Sequence, residues 1–333
     1  MRLQINIYII LWLLLCMISC VKEEDFYSTE TENNEQVSIE LFTRLRSFDT
    51  PVSRAIALED DVDKDPWILV FTGGDGTAGN AVFAEAAQAN INVGNKSYVL
   101  LRPQSGKSWV LILANPQDKF YVGSMSYDFS VDNFNDLFTN KTLTNVTALL
   151  SAMPMTAGVV VNAPPFVNKM LPMSYLYEAT EGINVNTKIG TSTVPLELTR
   201  AVAKIVVKST VADFTLSGIH SVHNLNKNTV LHNLSGNLET AASMVDYIRN
   251  DANEDFVSAT ANVTDPIYVY EAKSGTGAYM IIRAFYKGLE SYYKIAIADD
   301  ELKYIDIKRN HEYRFTIISA NFPGFGSYTD ALL

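Results

Sequence analysis

Cysteine is almost missing from this chain. Only Cys16 and Cys20 occur, both within its first twenty residues. The rest of the chain therefore has no disulfide, no free thiol and no thiolate chemistry. Positive charge is scarce as well: 26 Lys and Arg face 37 Asp and Glu, for a net charge of −11. No run of Lys and Arg supplies the basic footprint that nucleic acid requires, so that partner class is excluded. An acidic surface favours solubility and repels phosphate-rich partners. Catalytic signatures are lacking too. There is no Gly-x-Ser-x-Gly elbow and no cysteine nucleophile, and no carboxylate pair stands out among the many acids. The expectation is a non-enzymatic protein with no cofactor and no metal.

What the chain does have begins at its start. One arginine, Arg2, precedes an apolar run over residues 7–17 that ends in Ile18-Ser19-Cys20. The run is too short to cross a bilayer comfortably and reads as an export signal over 1–19. A small residue before a cysteine at this position resembles the bacterial lipobox. In that motif the thiol takes a diacylglyceryl group and the cysteine becomes the mature N-terminus, with acyl chains such as palmitate. Cys20 is thus the expected lipid attachment site. Lys22-Glu23-Glu24-Asp25 follows at once and resembles the signal that carries lipoproteins of Bacteroidetes-type bacteria to the outer face of the outer membrane. No second long apolar segment appears, so attachment to the membrane is expected through lipid alone.

Residues 20–36 are polar and acidic and read as a disordered tether. From Val37 the pattern has period two for most of the chain, as in Val37-Ser38-Ile39-Glu40-Leu41. Short β-branched and aromatic runs bounded by turn formers follow at 67–71, 98–101 and 109–113. The second half repeats this at 203–208, 267–270, 279–285, 292–297 and 313–318, with turn signals at Lys287-Gly288 and Lys308-Arg309-Asn310. Helical signal is sparse. The Ala-rich stretch 80–88, capped by Asn80, is the best candidate and 132–138 a second. Five prolines, Pro154, Pro164, Pro165, Pro172 and Pro195, restrict 151–195 to loops and edge strands. The fold class is therefore all-β, with two β-sandwich domains in tandem over 37–195 and 196–333 and few short helices.

Three local patterns invite a functional reading and fail it. Gly106-Lys107-Ser108 lacks the glycine of a phosphate loop, because position 101 is leucine. Asp61, Asp63 and Asp65 alternate like a calcium loop, yet its glycine and bidentate carboxylate positions hold Pro66 and Thr72. His220, His223 and His232 cluster in sequence, but odd spacing on a strand sends His220 and His223 to opposite faces. They read as scattered surface histidines.

Several motifs occur in a fairly specific order. They are the lipobox with its acidic follow-on, the strand at 37–42, Val52-Ser53-Arg54-Ala55, and an acidic stretch before Trp67. Then come Leu196-Glu197-Leu198-Thr199-Arg200-Ala201-Val202-Ala203-Lys204-Ile205, Tyr292-Tyr293-Lys294 and Arg309-Asn310-His311-Glu312-Tyr313. Together they resemble the Bacteroidales fimbrillins, FimA- and Mfa-like subunits of type V pili, over essentially the full length. The resemblance implies two tandem transthyretin-like β-sandwiches in a surface lipoprotein of the fimbrium that serves cell adhesion. It also implies that an arginine-specific protease removes a propeptide strand within 37–54. Arg54-Ala55 matches the family's cut site, with Arg44 and Arg46 as runners-up. A strand from another fimbrillin subunit then fills the exposed groove. The fifteen residues after Ile318 contain Pro323 and two glycines and no alternating stretch, unlike the family's donor strands. A terminal or anchor subunit is the corresponding expectation. The alternative is a monomeric surface lipoprotein that binds glycan or a host ligand.

Overall fold

Period-two patterning becomes two large sheets. The computed structural model describes residues 36–45, 62, 64–92, 96–155, 171–238, 244–248, 257–260, 262–264 and 266–333. Cys20, Arg46, Arg54 and Ala55 lie outside the described residues.

The first sheet takes β1 (Val37–Leu45), β2 (Trp67–Thr72), β3 (Val82–Gln88), β4 (Asn90–Ile91), β5 (Lys96–Leu101) and β6 (Ser108–Ala114). A separate three-stranded sheet holds β7 (Lys119–Val122), β8 (Met125–Asp128) and β9 (Leu150–Ser151). Helices α1 (Val131–Phe138) and α2 (Leu143–Leu149) fall between β8 and β9. The chain then rejoins the first sheet as β10 (Met173–Ala179), β11 (Lys188–Ile189) and β12 (Leu196–Arg200). Strand order is β3-β2-β6-β10-β12-β1-β5-β4, with β11 also beside β1. The sheet curls on itself. Arg102, just past β5, donates its backbone N–H to Glu85 of β3 at 2.9 Å and its guanidinium to the Ala84 carbonyl at 2.7 Å. Inside the curl lie Ile39, Leu41, Ile68, Val70, Val99, Val110, Ile112 and Leu198. The opposite faces of β2 and β6 carry Trp67, Leu69, Phe71, Trp109 and Leu111, which join a second core with Phe120 and α1. There Phe120 stacks on Phe134 with ring centroids 5.0 Å apart.

Only Ala201 separates β12 from the first strand of the other sheet, β13 (Val202–Ser209). The others are β14 (Phe214–Asn226), β15 (Met244–Ile248), β16 (Val257–Thr260), β17 (Val263–Thr264), β18 (Ile267–Tyr270), β19 (Tyr279–Tyr286), β20 (Leu289–Ala296) and β21 (Glu312–Ile317). Their order is β18-β13-β17-β16-β14-β19-β20, with β15 on β14 and β21 running parallel to β13. A short helix, α3 (Tyr328–Leu332), closes the described chain. The β19–β20 hairpin turns at Lys287 and Gly288, whose φ angles of 50° and 81° are the left-handed values such turns need. The all-β expectation holds, and the helix expected over 132–138 is present, capped by Ser130.

Three expectations are corrected. Residues 82–88 form β3, not a helix, because antiparallel pairing with β2 over Trp67–Thr72 outweighs the weak helical preference of three alanines. Asn80 caps nothing; its side chain bonds Asp75 at 3.0 Å. Within the proline-bearing segment, β10 is an internal strand between β6 and β12 rather than an edge. Pro172 sits just ahead of it, where its missing N–H disrupts no ladder, and its carbonyl accepts from Ala201 at 2.8 Å. His220 and His223 are not surface residues. They are 1% and 2% exposed on β14. A register shift between Ile219 and Ser221 makes His220 the extra residue of a bulge, which resets the alternation and turns both rings toward Tyr328.

Candidate functional site: a central first strand and a buried joint

β1 is the strand on which the sequence reading concentrates, and its position in the sheet is unusual. It pairs antiparallel with β5 from Val37↔Leu101 to Phe42↔Lys96. Its other edge pairs parallel with β11 at Glu40↔Lys188 and with β12 from Thr43↔Leu196 to Leu45↔Leu198. The first strand among the described residues is therefore inserted between partners that follow it by some fifty and some one hundred and fifty residues. Alternation sets its two faces. Val37, Ile39, Leu41 and Thr43 are buried in the first core. Glu40 and Arg44 face outward, where Glu40 meets Lys96 at 2.6 Å and the Tyr98 hydroxyl at 3.1 Å, and Arg44 pairs with Glu197. The hydrogen bond from Lys96 holds the Glu40 carboxyl below the usual range against the opposing effect of partial burial. The same bond raises Lys96. The Lys96 ammonium also lies 5.3 Å from the centre of the Phe42 ring.

Taking β1 away would leave two strands with unpaired backbone groups on either side of an apolar slot. Such a slot is a template for another strand. Arg44, a candidate for processing, sits within β1 and is paired across to β12, so its peptide bond is not presented as an extended free segment.

The motif residues near 200 and 310 meet at a second location, the junction of the two sheets. Arg200, fully buried at the end of β12, donates to Asn310 Oδ1 at 3.0 Å. Asn310 has φ 57°, and its backbone N–H reaches the Val202 carbonyl at 2.7 Å. Arg309 forms a two-pronged pair with buried Glu271 at 2.9 and 2.5 Å and also donates to Thr229 and the Val230 carbonyl. The Tyr313 hydroxyl donates to the Asp306 carbonyl at 2.7 Å, locking the turn. A companion knot uses Tyr270, which donates to the Met153 carbonyl at 2.7 Å and accepts from Gln117 at 3.2 Å. Burial drives the Tyr270 phenol well above its ordinary value, so it stays a neutral donor. Ser174 of β10 bonds the Leu231 carbonyl and His232, each at 3.0 Å. Sequence reasoning found Arg200, Arg309 and Asn310 as motif members but gave no sign that they touch.

Ser221 Oγ lies 2.7 Å from His223 Nε2, and Asp246 is 3.3 Å from Nδ1. This has the order of a hydrolytic relay, but Ser221 is fully buried, which keeps an acyl substrate from its hydroxyl. Asp65, the one member of the acidic triplet among the described residues, accepts the Ile91 N–H at 2.7 Å, a structural role. Among the described residues no group of three His, Cys, Asp or Glu is placed to hold a metal ion. Gly106 turns with φ 81° into β6, in keeping with a strand-connecting turn rather than a phosphate loop.

The two sheets, the inserted first strand and the buried joint define a class of all-β, strand-filled proteins. A candidate cell adhesion protein of Parabacteroides distasonis shares this fold, with a TM-score of 0.53 at 13% identity over 86% of this chain and 91% of that one. Looser matches include the tip fimbrial protein Mfa3 of Porphyromonas gingivalis, solved with a C-terminal truncation (TM-score 0.47, 18% identity, 86% and 96% coverage). A fimbrilin of the same organism matches with a TM-score of 0.45 at 15% identity, over 87% and 92%. No protein-family model and no curated protein matches the chain.

Proposed function

We propose that this chain is a non-enzymatic, fimbrillin-type subunit of a surface pilus that serves cell adhesion and assembles by strand exchange. In this reading Cys20 carries the lipid that delivers the precursor to the outer membrane surface. An arginine-specific protease cuts at Arg54-Ala55, β1 leaves, and a strand from a neighbouring subunit takes its place. The observation that carries the reading is the central place of β1, paired on both edges and buried on one face. A strand so placed can be replaced only by another strand with the same alternation, which gives both a driving force and a register for assembly. Burial of Val37, Ile39 and Leu41 contributes about 1.5–3 kcal/mol each, so an empty slot strongly favours refilling. The fold shared with the Parabacteroides adhesion candidate is compatible with this role.

The test is the N-terminal sequence and intact mass of the protein taken from the surface of its own cells. A chain that begins at Ala55, or just past Arg46, supports strand removal. A chain that still begins at an acylated Cys20 overturns it and leaves an anchored subunit with its slot filled from within.

A further inference from the structure

Beyond β21 the chain does not leave the second sheet. Residues 319–324 run beside β20, and Phe325 pairs with Tyr292 through two backbone hydrogen bonds of 2.9 Å. α3 then packs against β20 and β19, and its Tyr328 side chain reaches β14. Its Tyr328 ring stacks on His220 at 4.1 Å, and its hydroxyl is 3.5 Å from His223 Nε2. Lys294 of β20 holds the far end by donating to the Leu332 carbonyl at 3.3 Å, and Ala331 is fully buried. The segment thus rests on two nearly inaccessible imidazoles. Underneath it, between β20 and β21, runs an apolar cavity of about 410 Å³ lined by Phe214, Ile282, Tyr293, Ile295 and Ile317. Residues 319–324 form one wall of this open-sided cavity, and Phe322 on that wall is 78% exposed, so the strap lines the cavity without being built into the core.

We infer that residues 319–333 form a strap fastened to the second sheet where Tyr328 lies against His220 and His223, and that acid unfastens it. The chemistry follows from what surrounds the rings. His223 receives Asp246 from β15 at Nδ1, Ser221 from its own strand at Nε2, the Tyr279 face from β19 at 4.6 Å and Tyr328 from α3. Lys294 from β20 adds a like charge that opposes protonation, its ammonium 4.4 Å from the Tyr279 ring. Around His220 stand Tyr292 of β20, edge-on at 5.5 Å, and Tyr328. Asp246 and the tyrosine faces favour a cation, whereas burial among β15, β19 and Tyr328 of α3 disfavours one. Burial prevails at His223, whose imidazole is held below its ordinary value of 6.5. The fastened state therefore prefers the neutral ring. Once α3 lifts, water reaches the ring and its value returns toward 6.5, so each proton taken up favours the open state. Fastening is complete above that value and weakens as pH falls through it. Opening frees the edge of β20 at Tyr292 and uncovers the apolar residues Phe214, Ile282, Ile295 and Ile317 that face residues 319–324 across the cavity. This device operates whatever the fate of β1.

Hydrogen exchange of the whole protein at pH 7.5 and pH 5.0, corrected for intrinsic rates, tests it. Peptides covering 319–333 are expected to lose about tenfold or more of their protection at pH 5.0, while β14 and β19 keep theirs. Replacing both rings, as His220→Gln with His223→Gln, should abolish that pH response. Tyr328→Ala sits on the strap side and spares the sheet; it should give an open strap at both pH values with β14 and β19 still protected. Strap protection unchanged between the two pH values overturns the inference. So does a full acid response in the double glutamine variant, or a strap that stays protected in Tyr328→Ala.

Discussion

Single side chains carry most of the order at the junction of the sheets. Glu271 is 5% exposed and survives there because Arg309 meets both its oxygens. Removing the cation alone strands a buried carboxylate, and broken buried pairs cost about 3–5 kcal/mol. Arg309→Met should lower the unfolding free energy by that amount, read as a lower urea midpoint at unchanged slope. Adding Glu271→Gln should recover a large part of the loss, since the uncompensated charge then disappears. His232 gives the same junction a dependence on pH. Burial first, and the nearby Arg309 charge second, depress its imidazole from 6.5 to about 4. The folded chain holds it neutral and the unfolded chain does not. Its contribution is therefore complete above the ordinary histidine value and drains away as pH falls toward 4, by up to about 3 kcal/mol. Denaturation curves between pH 7 and 4 should show this slope, and His232→Gln should flatten it.

At the scale of elements, β1 combines two roles that most strands keep apart: it fills a core and occupies a slot. Truncating Leu41, fully buried at the centre of the strand, to alanine should cost about 2–5 kcal/mol. Ser38→Ala, on the outward face, should change stability by less than about 0.5 kcal/mol. Equal effects at the two positions, read from chemical denaturation, would contradict the placement of the strand. This alternation was legible in the sequence at β1 and β21, where inward residues alternate with outward ones and so carry period two. What the sequence hid has a physical cause in each case. The Ala-rich 82–88 looks helical in isolation and becomes β3 only because β2 supplies a partner. β10 is buried between two strands, yet Tyr175, Tyr177 and the prolines before it mask any apolar run. The bulge at His220 shifts parity by one residue, which no periodicity count reveals. The junction is less legible still: Arg200 and Asn310 stand 110 positions apart, and only the fold brings them to 3.0 Å.

For the molecule between 36 and 333, the question is whether the two sheets act as one body under load. The buried core that begins at Trp67 and Phe120 continues without a break through Val202, Ile205 and Tyr270. Polar knots cross it at Arg200–Asn310, Ser174–His232 and Gln117–Tyr270–Met153. In the proposed assembly a neighbour's inserted strand would pull on β12, and that force would pass through a single residue, Ala201, into β13. Shared burial lets the halves resist that pull together rather than one after the other. Tyr270→Phe tests this with little change of shape. It removes one hydroxyl and leaves the Met153 carbonyl and the Gln117 amide without their shared partner, a loss of about 1–3 kcal/mol. Calorimetry of the wild-type chain should give one transition, and the variant should move the whole of it downward. Hydrogen exchange should then accelerate in β6 and β10, in the other half from the substitution, as much as in β18. Two resolved transitions, with only the one that contains β18 shifted, would mean that the halves unfold independently and that the joint transmits no load.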